Sequence, residues 1–407
     1  MTTLDTEAST ALGHMHVDNA DRLNPGEEFE ALMERIEMIV PLVKANAEEC
    51  ERRGRLTDEV MDALHETGAF RIGIPKMAGG YELTPWQSIQ VIERLSYADP
   101  STGWAFMALQ MATGSTIAYL GEDADDLFPD GGYRLVAGQA TRLGAVKRVE
   151  GGYLLSGQWS FASGLHHASY AYAAGFDTET QRPLAFIFPK EKAEIVDNWN
   201  VMGLKATGSI DYSCDDLFVP DTHVYESATG TAKMGGALYK TGAANLSGIC
   251  HTGWALGVAR RMLDELQSYA ADKTGAPGAW VDTQQFYAEY ADAEAKLGAA
   301  RAWVREVWLS NEASLDSGDH LTTKQESLTR LMLNHTTRTA QSVGLAVHKW
   351  AATAAIREGD LQRLFRDLNV GTQHITSGPQ VLQSCGKYLA GLAPTGRWFF
   401  LNLDEGA

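Results

Sequence analysis

Apolar residues recur every three or four positions through the first third of the chain, which is the spacing of one face of a helix. A helix is expected from about Gly26 to Glu51, and another after Thr84-Pro85, because Thr caps helices and Pro is tolerated in the first turn. Residues 1–25 are polar and lack the apolar core of a signal peptide. We therefore predict a disordered N-terminus over residues 1–25 and a helical domain over residues 26–133.

The pattern changes near Arg134 to short apolar runs separated by Gly, Asn and Pro. The runs Ala145–Val149 and Tyr153–Phe161 flank Glu150-Gly151-Gly152, which is typical of a β-hairpin. The connections between runs are too short for crossover helices, so an antiparallel β domain is expected over residues 134–232.

Helical spacing returns in four long segments that together predict an up-down bundle over residues 233–407. The segments are Gly235–Ala271, Thr283–Ser314, Thr323–Ile356 and Leu361–Leu392. The predicted fold class is α+β, with an N-terminal helical domain, a middle antiparallel β domain and a C-terminal four-helix bundle.

The last segment combines an apolar stripe with polar residues on its other side. If it is one helix, Asp367 and His374 share a face, roughly 10 Å apart along the axis. Such a face suits either the wall of an active site or a solvated surface, and the segment alone leaves both open. The stripe consists of Leu361, Leu364, Phe365 and Leu368.

Net charge and motifs exclude several classes of function. The formal net charge of −18 argues against binding to nucleic acid or to an anionic membrane surface. The four cysteines are widely separated, which is typical of free thiols in a reducing compartment, and no apolar run is long enough to span a membrane. A soluble cytoplasmic protein is expected. The sequence has no G-x-G-x-x-G, phosphate-loop, H-E-x-x-H or G-x-S-x-G motif.

Three stretches remain as candidates for chemistry: Trp159–Gly164, Gly203–Ser209 and the segment from Arg366 to His374. Small hydroxyl residues beside glycines let a planar ring approach the backbone, and a nearby aromatic side chain can pack on it. Each stretch is a weak signal by itself.

Together with Asp99-Pro100-Ser101-Thr102-Gly103-Trp104, these stretches and their order resemble the acyl-CoA dehydrogenase fold. The detailed match is closer to the two-component (group D) flavin-dependent monooxygenases. The resemblance implies a flavin between the β domain and the bundle, supplied as FMNH2 or FADH2 by a separate NAD(P)H-dependent reductase. It also implies O2 as co-substrate, no metal, and a homotetramer.

Two departures argue against acyl-CoA dehydrogenase, which is one alternative. The position of the dehydrogenase carboxylate falls on Ile375, and the alternative helix around Leu246–Trp254 offers His251 but no carboxylate. The Arg-x-x-Phe-Gly stretch that grips FAD in dehydrogenases is replaced by Asp272–Pro277, which fits borrowed reduced flavin. A substrate-binding His of phenol hydroxylases is also missing, because its position falls on Met111 and Ala112.

The resemblance further implies that a C4a-hydroperoxyflavin hydroxylates a phenolic, indole-type or polycyclic aromatic molecule. N- or S-oxygenation by the same intermediate is the alternative, and a non-catalytic flavin-fold binding protein is a third reading. Ser163 is expected to hydrogen-bond flavin N5, and His374 to act as acid or base. The other expected flavin contacts are Phe161, Trp159, Lys205, Thr207, Gly208 and Ser209. The expected substrate pocket consists of Trp104, Met111, His251, Arg366 and Asp367. Arg366 and Asp367 are expected to form a charge pair with each other.

Overall fold

A computed structural model describes residues 25–128, 133–227 and 231–404. The disorder predicted for residues 1–25 therefore falls, except for Pro25, outside the described residues. The predicted order of a helical part, a sheet and a second helical part is confirmed. The first part contains α1 (Pro25–Arg53), α2 (Asp58–Glu66), α3 (Pro85–Ala98) and α4 (Pro100–Leu120).

Residues 136 to 226 contribute a seven-stranded sheet with the order β5-β6-β2-β1-β3-β4-β7. The expected antiparallel β domain is confirmed as a mostly antiparallel sheet, in which only the described pair of β1 and β3 is parallel. No crossover helix is needed for this pair, since β2, on the other side of β1, returns the chain to the end at which β1 begins. The strands are β1 (Val136–Val149), β2 (Gly152–Ala162), β3 (Tyr170–Asp177), β4 (Arg182–Pro189), β5 (Glu194–Val196), β6 (Ile210–Pro220) and β7 (Val224–Glu226).

The C-terminal part is built on α5 (Ala243–Lys273), α6 (Gln284–Asp316) and α7 (Thr323–Ala351). The single long helix expected over Leu361–Leu392 is instead two helices, α8 (Asp360–Gly371) and α9 (Pro379–Leu389). Pro379 disfavours a helical conformation at the preceding residue, and Gly378 is extended with ψ of 154°. His374 therefore lies in the connection between the helices and shares no helix face with Asp367. The domain boundaries at residues 133/134 and 232/233 stay predictions.

The two helical parts pack tightly against each other through α3 and α5. A Cβ on Gly257 would lie 2.1 Å from the Glu93 carbonyl oxygen, so only glycine permits this approach. Trp254 of α5 donates from Nε1 to the Pro100 carbonyl at 2.9 Å, which fixes the start of α4 against the bundle. A small hairpin of β8 (Arg397–Phe399) and β9 (Asn402–Asp404) follows the bundle and has no counterpart in the sequence predictions. Over the described ranges, no helix is both long and apolar enough to cross a membrane.

Candidate active site

A cavity of about 540 Å³ lies between the sheet, α4, α5 and the connection that follows α8. This volume is in the range of small-molecule sites. Most side chains that line the cavity are apolar or aromatic. Within the described part of the chain, no Asp, Glu, Lys or Arg lines it. A charged ligand group would therefore lose its hydration without gaining an opposite charge, so the cavity favours uncharged molecules.

The sheet side of the cavity carries a chain of hydroxyl groups. Ser209 Oγ lies 2.7 Å from both Ser163 Oγ and Thr207 Oγ1, and Thr207 donates to the Leu204 carbonyl at 2.8 Å. Because a carbonyl only accepts, Ser209 must donate to Thr207, and Ser163 must donate to Ser209. Trp104 Nε1 donates to Ser163 Oγ at 3.1 Å. Ser163 Oγ is thus left with one free acceptor position and no free hydrogen.

The loop that carries Ser209 is held by α8. Asp367 Oδ1 accepts from the Leu204 amide at 2.5 Å, and Arg366 Nη1 donates to the Met202 carbonyl at 2.6 Å. A Cβ on Gly203 would lie 2.4 Å from the Arg366 carbonyl oxygen, so this position has room only for glycine. Two of the stretches singled out from the sequence are therefore in direct contact. Their contact is structural, and it positions the hydroxyl chain.

Arg366 and Asp367 do not line the cavity, and the charge pair expected between them is wrong. The Arg366 guanidinium bonds Glu51 at 2.8 Å instead. Asp367 is buried, and burial, with the nearby Asp99 carboxyl, raises its pKa to about 8. Its Oδ2 has no hydrogen-bond partner, which suits a carboxyl that stays protonated, because an unpaired buried charge is costly.

The bundle side of the cavity carries two imidazoles in close, tilted ring contact. The rings of His251 on α5 and His374 after α8 have centroids 3.8 Å apart. The Trp104 ring lies 4.9 Å from His251 and 5.8 Å from His374. His374 Nδ1 lies 2.8 Å from Thr376 Oγ1 and accepts from the Thr376 amide at 3.4 Å. Since an amide only donates, the neutral ring carries its hydrogen on Nε2.

Both imidazoles are held in the neutral form. Burial lowers the pKa of His374 to about 4. Burial, and then the neighbouring His374, hold the pKa of His251 well below its usual range. Ile375, where a dehydrogenase would have its carboxylate, also lines the cavity. Neutral nitrogen bases thus take the place of carboxylates on this wall.

The structure brings some of the predicted flavin residues to the cavity and excludes others. Phe161 lines it together with Trp199, whose ring lies 5.8 Å away, but Trp159 does not. Because side chains alternate along a strand, Trp159 and Phe161, two positions apart in β2, would be expected on the same face of the sheet. A register irregularity and the φ of 75° at Phe161 turn them apart. Trp159 lies in the core, stacked on Tyr212, as an ordinary strand-core residue, and its expected contact with flavin stays a prediction.

Three residues of the 203–209 loop with expected flavin contacts do not reach the cavity, so these contacts stay predictions. Lys205 pairs with Glu51 at 3.4 Å, Gly208 packs against His166, and Thr207 lies behind Ser209. Met111, Trp104 and Ser209 do line the cavity. Further residues line the cavity but carry no sequence motif that predicts them: Trp199, Tyr119, Tyr172, Tyr225, Leu246 and Phe400.

Comparisons with known proteins agree with this architecture. The model of the acyl-CoA dehydrogenase N-terminal domain matches residues 27–125, and that of the C-terminal domain matches residues 249–378. The indole-3-acetate monooxygenase of Pseudomonas putida is 28% identical over 92% of this chain and 96% of its own length. The flavin-dependent monooxygenase oxygenase subunit HsaA of Rhodococcus jostii is 27% identical over 86% of this chain and 95% of its own length.

Among solved structures, XiaF from Streptomyces sp., in complex with FADH2 and glycerol, superposes with a TM-score of 0.82. The alignment covers 91% of this chain and 97% of XiaF at 22% identity, which shows a shared fold.

Proposed function

Because this chain belongs to the acyl-CoA dehydrogenase family, on its flavin-dependent monooxygenase branch, we propose that it hydroxylates an uncharged aromatic molecule with reduced flavin and O2. The observation that carries the proposal is the cavity itself. One wall offers a hydrogen-bond acceptor, the other offers neutral imidazoles, and the described lining has no charge. An indole-type, phenolic or polycyclic molecule suits such a cavity.

The residues of the sheet wall fit a reduced flavin. Its ring nitrogen N5 carries a hydrogen, and the free acceptor position on Ser163 Oγ can receive it. Phe161 and Trp199 give a flat ring apolar surface to pack against. When bound, reduced flavin supplies the electrons with which O2 is activated for oxygen transfer. A separate NAD(P)H-dependent reductase would provide it, and a homotetrameric assembly is part of the proposal.

The residues of the bundle wall would handle the proton of the substrate. Because Nε2 of neutral His374 already carries a hydrogen, the ring can take a phenolic or ring proton only at Nδ1, by way of the Thr376 hydroxyl, which lies 2.8 Å away and also lines the cavity. The apolar lining keeps water from the reacting groups. Acyl-CoA dehydrogenation is disfavoured, since abstraction of an α-proton needs a base and the described lining contains no carboxylate.

The test is to mix the protein with photoreduced FMN or FAD, isotopically heavy O2 and a panel of aromatic molecules. Mass spectrometry should find one heavy oxygen atom in an uncharged product, and an indole should be converted better than the matching indole carboxylate. A parallel assay with acyl-CoA and an artificial electron acceptor should give no enoyl product. If no panel member gains oxygen while the thioester is oxidised, the assignment is wrong.

A further inference from the structure

The C-terminal hairpin reaches the cavity, although it lies beyond the residues that the family's C-terminal domain model matches. Phe400, at the tip between β8 and β9, lines the cavity. The pairing of Phe399 with Asn402 leaves a loop of only Phe400 and Leu401. The cavity therefore has one wall residue contributed from outside the matched domains.

The backbone at Phe400 is unusual for its residue type. Its φ is 53°, in the left-handed region where a two-residue hairpin loop ordinarily has glycine. A bulky residue in this region is strained, typically by about 1–3 kcal/mol. A phenylalanine where the turn favours glycine points to a role for its side chain.

The hairpin is fixed so that this side chain stays in place. Arg330 of α7 donates to the Phe400 carbonyl from Nε at 3.2 Å and from Nη2 at 2.7 Å. The same guanidinium lies over the Trp398 ring at 4.4 Å, and Trp398 Nε1 donates to Ser327 Oγ at 2.8 Å. On the other side of the tip, Leu401 is buried in a small apolar cluster with Val381. These contacts hold the backbone and the neighbours of Phe400.

The position of Arg330 also shows which part of the cavity Phe400 occupies. Arg330 Nη1 donates to Asn245 Oδ1 at 3.4 Å, and the next residue, Leu246, lines the cavity from α5. Phe400 is thus on the bundle side, whereas Ser163 and Ser209 are on the sheet side. A change at Phe400 alters the space for the substrate and leaves the hydroxyl chain untouched.

We propose that Phe400 sets the upper size limit for the aromatic substrate, as a fixed wall at the bundle end of the cavity. The inference rests on the proposed function for the class of ligand. Shortening the side chain should admit molecules with more fused rings and should weaken the packing around the smallest ones.

The experiment compares Phe400→Gly and Phe400→Leu with Phe399→Ala. Glycine suits the left-handed φ, so the hairpin can still form, and leucine gives an intermediate size. Phe399 is the matched control, because it is adjacent, 57% exposed and does not line the cavity. Calorimetry in the absence of flavin measures the dissociation constants of phenol, a naphthol and a phenanthrol for each protein.

Relative to phenol, the phenanthrol should bind on the order of tenfold better to Phe400→Gly than to the wild type, with Phe400→Leu between them. The same ratio should be unchanged in Phe399→Ala. An unchanged ratio in both Phe400 variants, or an equal shift in Phe399→Ala, overturns the proposal. Oxygen incorporation is measured separately. If the ratio of the phenanthrol and phenol dissociation constants shifts but no protein incorporates oxygen, the size limit holds and the proposed function is rejected. If oxygen is incorporated but the ratio does not shift, the proposed function holds and the size limit is rejected.

Discussion

The two walls of the cavity present polar groups in different ways. On the sheet wall, Ser163 and Ser209 belong to a hydroxyl chain whose hydrogens all point one way, ending at the Leu204 carbonyl. On the bundle wall, the rings of His251 and His374 are in close contact, and burial leaves both without the second proton that an imidazole can bind. The first wall has a fixed polarity, whereas the second can exchange a proton.

This difference suggests a division of roles. A fixed acceptor suits a group that is bound in one protonation state, such as the N5–H of reduced flavin. Because burial lowers the pKa of His374 to about 4, its ring is unprotonated near neutral pH and can receive a proton that a substrate loses during hydroxylation. We infer that the sheet wall holds the cofactor and the bundle wall serves the substrate. Substitutions on the two walls should therefore fail in different ways.

The largest effect is expected from His374→Ala. Product formation should fall about 10²- to 10⁴-fold, the usual contribution of a general acid or base, while flavin oxidation continues and releases hydrogen peroxide. The ratio of product to flavin consumed measures this. In the wild type the ratio should stay level from about pH 8 down to pH 5, because an imidazole with a pKa of about 4 remains a base there.

His251→Ala is the matched variant for this prediction. It removes the contacting ring but leaves the Thr376 contacts of His374 in place, so a smaller loss is expected. If His374→Ala keeps the wild-type ratio of product to flavin, the substrate role of the bundle wall is wrong. If the two variants lose the same amount, neither ring can be given the role alone.

A smaller and different failure is expected from Ser163→Ala. The variant loses the acceptor for N5–H, so reduced flavin should bind about tenfold more weakly, as for one hydrogen bond of roughly 1–1.5 kcal/mol. Anaerobic titration with reduced flavin measures this. Trp104→Phe removes the donor to Ser163 but keeps an aromatic ring beside His251 and His374, and it should weaken flavin binding less. Unchanged flavin affinity in Ser163→Ala would contradict the role of the sheet wall.

The same contrast explains what the sequence could predict. The hydroxyl groups of the sheet wall come from two short stretches of sequence in which hydroxyl residues stand beside glycines. This local pattern predicts Ser163 and Ser209 as site residues. The pair of imidazoles joins positions 251 and 374, and their contact depends on how α5 packs against the end of α8. The sequence pointed to each histidine separately but gave no sign of the contact.

The errors have physical causes as well. The resemblance gives Trp159 a flavin contact together with Phe161, but a strand irregularity at Phe161 turns the two side chains to different faces and puts Trp159 in the core. Arg366 and Asp367 were assigned to the pocket because polar residues on an amphipathic helix suggest a functional face. Their actual partners, Glu51 and the Leu204 amide, lie far away in the sequence. Phe400 carries no motif, and only the folded hairpin brings it to the cavity.

The smallest effect on catalysis is expected at Asp367, which links the two walls, and a change there should appear in the stability of the protein instead. Asp367 has a folded-state pKa of about 8, against an ordinary value of 3.8. Between these values the folded protein binds more protons at this site than the unfolded chain, so the site makes stability fall as pH rises from about 4 to 8. Asp367→Asn mimics the neutral carboxyl and can still accept from the Leu204 amide. It should come nearest to the wild type at about pH 4, and its advantage should grow by up to about 1.4 kcal/mol for each pH unit from there to pH 8.

Denaturant unfolding at both pH values measures this gain, and Asp292→Asn on the exposed face of α6 is the control, with no pH-dependent gain expected. The buried Asp99, whose pKa burial also raises, is coupled to Asp367, so part of the gain reports the removal of repulsion between the two carboxyls. A gain in stability with unchanged flavin affinity would mean that α8 fixes the sheet wall through a neutral hydrogen bond. If Asp367→Asn is less stable than the wild type at pH 8, the carboxyl is charged there, and the walls are joined by an ionic contact instead.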